Sequence, residues 1–132
     1  LNTVSQPVGA IDVALAHATR LLEKNAELAA EQAREILSVY PGHPHARLIL
    51  GAAHRRSGRP QAALEVLEPL AREQPHSAAA HLELGIAQGE AGRGPEALAA
   101  LRRAVQLQPG SVDAWRLLAD TLDAGGDAPA AD

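Results

Sequence analysis

Pro41, Pro75 and Pro109 stand 34 residues apart, and Gly58, Gly92 and Gly126 keep the same interval. Proline stops a helix because it lacks an N–H and its ring clashes with the preceding turn. Glycine takes up the left-handed conformation after a helix end at little steric cost. A chain that repeats both signals at this period is a row of two-helix units. Each is too small to bury its own apolar face, and each is stacked on the next. The expected fold class is all-α, built of antiparallel helix hairpins.

On this period the chain contains two clear units, 44–77 and 78–111, a divergent unit over 10–43, and a partial unit over 112–132. Residues 1–9 show no periodicity and are expected to be a tail or linker before a single repeat domain, 10–132. In the third unit the first helix is predicted over 78–91, with Leu82, Leu84, Gly85 and Ile86 inside it and Gly92 after its end. Pro95 fits the first turn of the following helix, where a missing N–H does no harm. That helix carries the apolar stripe Ala97, Leu98, Leu101, Ala104 and Val105. Pro109 ends it, and Ser111 is suited to cap the next. Gly58, Pro60, Ala63, Leu67, Leu70 and Pro75 repeat the pattern in the second unit. In the first unit the second helix fits, through Ala29, Ala33, Ile36 and Pro41. Its first helix does not: the period brings Ala16, His17 and Arg20 to core positions, whereas Leu15, Leu21 and Leu22 imply a slipped register. Asn25 is expected to replace the turn glycine, because Asn tolerates the left-handed conformation.

These residues resemble the tetratricopeptide repeat. Numbered within each unit, position 7 is Leu50, Leu84 and Leu118, and position 8 is Gly51, Gly85 and Ala119. Position 20 is Ala63, Ala97 and Ala131, and position 24 is Leu67 and Leu101. Trp115 occupies the family's aromatic position 4, where Arg47 and His81 stand in the preceding units. Position 11, commonly Tyr in the family, is His54, Gln88 and Leu122. Small residues at positions 8 and 20 let two helices approach closely, and larger ones would force them apart. The resemblance implies an α-solenoid with a right-handed superhelical course. It also implies a concave groove lined by the first helix of each hairpin, which binds a protein or peptide partner without catalysis.

The groove positions 2, 5, 9 and 12 fall on His45, Leu48, Ala52 and Arg55, then Ala79, Leu82, Ile86 and Gly89, then Asp113, Arg116, Asp120 and Asp123. The partner-binding set expected from them is His45, Leu48, Ala52, Arg55, Ala79, Leu82, Ile86, Arg116 and Asp120. Some family members clamp a terminal carboxylate with Lys and Asn at such positions, and those residues are missing here. The groove centre, Leu48, Ala52, Leu82 and Ile86, is apolar and suits an amphipathic helix or an aliphatic extended segment. Packing between repeats is the alternative use of the same residues.

Composition narrows the function further. With 46% hydrophobic but 2% aromatic residues, the core is built from Ala, Leu, Ile and Val, and the lack of Cys excludes disulfides and thiolate metal sites. The apolar runs are far below a membrane span and no signal peptide opens the chain, so a cytoplasmic location is expected. A net charge of −4 disfavours general nucleic-acid binding. No phosphate loop, dinucleotide fingerprint, HExxH or GxSxG occurs, and neither cofactor nor catalytic residue is expected. His43 and His45 flank Pro44, with His76 in the equivalent loop one repeat on. They are expected to be polar loop residues rather than metal ligands, while His54 and His81 fall on packing positions. Charge shifts along the array: 44–77 is basic, whereas 112–132 holds Arg116 alone against five aspartates.

Two features suggest part of a longer protein. The chain has no Met, and its last unit stops as a second helix would start. Trp115, Leu118 and Leu122 would then lack part of their cover, which more chain or a second copy could supply. Segments such as AEQAREIL, ALEVLEPLA and EALAALRRAV are similar to repeat arrays that precede sulfotransferase domains in bacterial proteins. An excess of Arg over Lys and abundant Ala fit a GC-rich bacterial source.

Overall fold

Helix ends follow local chemistry along the whole array. The computed structural model describes residues 7–126, and among them it forms seven helices and no strand. They are α1 (Pro7–Lys24), α2 (Ala26–Val39), α3 (Pro44–Arg56), α4 (Pro60–Glu73), α5 (Ala78–Glu90), α6 (Gly94–Leu107) and α7 (Val112–Gly126). Gly58 and Gly92 take φ of +79° and +82° directly after Ser57 and Ala91, the C-caps of α3 and α5, in the turn that reverses the chain within each hairpin. Gly126 is still inside α7, and Ala131 and Asp132 lie outside the described residues. Gly42, unanticipated, takes φ +82° between α2 and α3. Pro69 stands inside α4 without ending it.

Three helix starts repeat one device. The backbone N–H of Ala46 donates to His43 Nδ1 (3.3 Å), that of Ala80 to Ser77 Oγ (3.1 Å), and that of Ala114 to Ser111 Oγ (3.2 Å). His43 is thus an N-cap at the same repeat position as the two serines, since any short side chain with an acceptor there satisfies an orphan donor.

The first unit departs from expectation in two ways. Helix α1 begins at Pro7, so residues 7–9, read above as tail, belong to it. Asn25 is not left-handed: its φ is −157°, and its Oδ1 accepts from Leu28 N at 3.1 Å, capping α2. A single non-helical residue therefore joins α1 to α2, where three join α3 to α4. The slipped register itself is present. Leu15 and Ala18 are buried (6% and 0% exposed), and Ala16, His17 and Arg20 are exposed.

The chain divides into two compact halves, Leu1–Val66 and Leu67–Asp132. In the first, Leu15, Ala18, Ala29, Ala33, Ile36 and Ile49 form one core, with Ile11, Leu21, Leu22 and Val66 packed on it. In the second, Leu101, Ala104, Val105, Ala114 and Leu118 bring α6 and α7 together, with Leu82, Leu98 and Leu117 on their margin. The close approach of α5 to α6 depends on Gly85. A Cβ there would lie 2.8 Å from Leu101 Cγ and 2.9 Å from Leu101 Cδ2, inside ordinary contact distance. Surface ion pairs add little: Arg56–Glu23 at 3.5 Å and Arg59–Glu27 at 3.2 Å in the first half, Arg93–Glu68 at 3.2 Å in the second.

Candidate functional site

In the first half, α3 carries His45, Leu48, Ala52 and Arg55 along one side, as the period predicts. His45 is exposed and Leu48 and Arg55 are half-buried. Ala52 is 3% exposed and belongs to the packed interior, which removes it from the expected surface. The one-residue slip of α1 puts Val13, His17 and Arg20 at the equivalent positions 5, 9 and 12, and all three are exposed. These residues were missed because an unslipped alignment assigned His17 and Arg20 to the core. The signal that could have found them was the Leu15–Leu22 spacing.

In the second half, α5 presents Ala79 exposed and Ile86 half-buried. Leu82 is drawn into the cluster of Leu101, Ala104, Val105, Ala114 and Leu118, so it serves packing between α5, α6 and α7. On α7, Arg116 and Asp120 are exposed, and Arg116 is held by Asp113 at 3.2 Å. Next to them a cleft of about 670 Å³ opens between the α5–α6 turn and α7. Gly89, Gly94, Leu98, Leu117, Asp120 and Ala124 line it. The cleft could not be read from the period, because it arises where two elements fail to fill the space between them.

Position 4 does something the aromatic pattern did not suggest. Trp115 Nε1 donates to the carbonyl of Pro109 (2.8 Å), and His81 Nε2 lies 3.1 Å from the carbonyl of Pro75, one repeat earlier. An N–H on a flat ring thus ties the helix to the residue that stopped the previous one. Among the described residues no group of three or more His, Asp or Glu is placed to hold a metal ion. No described helix is long and apolar enough to cross a membrane.

The model of the tetratricopeptide repeat matches residues 9–78, 53–112 and 82–131. The chain belongs to the tetratricopeptide-repeat family. Domains of this family act as protein-interaction scaffolds, and the fold is generally non-catalytic. Among solved structures, MamA (41–end) from Desulfovibrio magneticus RS-1 is similar at 23% identity with a TM-score of 0.76, over 86% of this chain and 65% of that one. The tetratricopeptide-repeat chain thus spans less than two-thirds of that structure. A Thermobaculum terrenum O-GlcNAc transferase mutant is similar at 22% identity and TM-score 0.82, over 87% of this chain but 22% of that one. The first repeat domain of Spaghetti (RPAP3), bound to the HSP90 peptide SRMEEVD, is similar at 16% identity and TM-score 0.79, over 87% and 92%. These likenesses concern the fold. Among curated proteins, no sequence matches the chain.

Proposed function

We propose that this repeat array is a protein–protein interaction scaffold that holds a partner peptide or domain on the face formed by the first helices of its hairpins. The supporting observation is the accessible surface of α5 and α7, where Ala79, Arg116 and Asp120 are exposed and Ile86 is half-buried, with Asp120 lining an apolar cleft. His45, Leu48 and Arg55 supply the corresponding face of α3, and a cytoplasmic setting is part of the same reading. A peptide array probed with the purified chain tests it. Saturable binders are expected, and they should be lost on Ile86→Glu with the helical circular dichroism intact. An array without any saturable binder would overturn the proposal.

A second reading is self-association through α7. Val112, Trp115 and Leu122 are 76%, 48% and 42% exposed on one apolar side of that helix, with Ala119 between them. Light scattering at rising concentration should show dimers, and a strictly monomeric chain removes the idea. A third reading is an array inside a larger enzyme with a sulfotransferase-like domain downstream. It rests on the segments AEQAREIL, ALEVLEPLA and EALAALRRAV alone. A stop codon directly after Asp132 in the reading frame would sink it.

A further inference from the structure

We infer that the cleft beside α7 is the anchoring subsite of the interaction face, and that it takes an aliphatic side chain of a basic partner segment, with Asp120 and Asp123 meeting a Lys or Arg next to the anchor. This rests on the scaffold reading above.

The cleft has an apolar wall of Leu98, Leu117 and Ala124 and a backbone floor at Gly92 and Gly94. A Cβ built on Gly92, Gly94 or Gly125 would meet no atom within 4 Å, so the glycines leave open space that a partner's side chain can enter. The hydroxyl of Thr121, on the same wall, already donates to the carbonyl of Leu117 at 2.8 Å. A volume of about 670 Å³ lies within the range of pockets that bury a compact apolar group.

Charge selects the flank of the anchor. The nearby cations are engaged: Arg116 with Asp113 (3.2 Å), and Arg93, between Gly92 and Gly94, with Glu68 (3.2 Å). Asp120 and Asp123 are exposed and have no ion pair among the described residues. They lie in the second half of α7, where the helix dipole adds negative potential. Glu96, in the first turn of α6, is exposed too. A cation next to the apolar anchor is therefore attracted, and a carboxylate is repelled.

Two labelled peptides test this by fluorescence anisotropy on the whole chain: one with Leu flanked by Lys, the other with Leu flanked by Glu. The Lys peptide is expected to bind saturably and to weaken as salt rises. The double variant Asp120→Asn/Asp123→Asn should weaken it roughly fivefold or more, the scale of two exposed ion pairs. Ala124→Phe, which fills the cleft from an exposed position, should abolish it with circular dichroism unchanged. Tighter binding of the Glu peptide, or Lys-peptide binding indifferent to these variants, overturns the subsite. So does a partner from the array that is blocked by Ile86→Glu but not by Ala124→Phe, and in that case the scaffold reading stands. An array with no ligand at all takes down both.

Discussion

His54 and Gln88 occupy the same repeat position and share a defect. His54 Nδ1 and Gln88 Oε1 are buried with no hydrogen-bond partner among the described residues. Each forgoes the water it would bind in the unfolded chain, a loss of about 1–3 kcal/mol. For His54, burial holds the imidazole pKa below its ordinary 6.5, and the guanidinium groups of Arg59 and Arg34 push the same way against Glu27 and Glu65. The native state thus binds this proton less readily than the unfolded chain does. The neutral form's stability is complete above about 6.5 and declines as pH falls through the lowered native value. Thermal melts between pH 7.5 and pH 5 (about neutral to mildly acid) should show a steeper acid loss in the natural chain than in His54→Gln. Equal slopes would show that the histidine is not the cause. For Gln88, 7% exposed, Gln88→Leu removes the orphan acceptor at similar volume. It should leave stability unchanged or raise it by about 1 kcal/mol in urea titration.

At the scale of the helix, the hairpin ends were legible residue by residue. Gly58, Gly92, Pro95 and Ser111 act where they were expected, because a cap or a stop works through its own backbone and the next turn. The register of α1 was legible only as a conflict. Leu15 and Ala18 face the core because α2 and α3 cover that side, and no local signal says which side will be covered. Asn25 shows the same limit, since capping and left-handed turns favour one residue type for different reasons. The crossing of α5 and α6 gives a test. Gly85→Ala gains about 1 kcal/mol of helix propensity, but it drives a methyl into the side chain of Leu101, which is 2% exposed. Overpacking of this kind costs about 1–3 kcal/mol. A net loss of stability is expected, and a higher melting temperature would show that α6 yields easily.

Across the whole molecule, Trp115 reports on what meets α7. It is the chain's single tryptophan and is 48% exposed. In dilute solution its emission should be that of a partly hydrated indole. A blue shift with rising concentration is expected if copies meet on this face, and an unchanged spectrum argues against that reading. The sequence by itself determined the all-α class, the period, the hairpins and nearly every helix end, because these depend on sterics and hydrogen bonds within a few residues. It also implied the family, through small residues repeated at the close crossings. Only the tertiary structure decided which candidate surface residues are available. Ala52 is enclosed and Leu82 is drawn into packing, while Val13, His17 and Arg20 come to the surface and a cleft opens beside Asp120. A residue's exposure depends on which neighbouring helix covers it and how fully, and that belongs to the packed arrangement rather than to any stretch of chain.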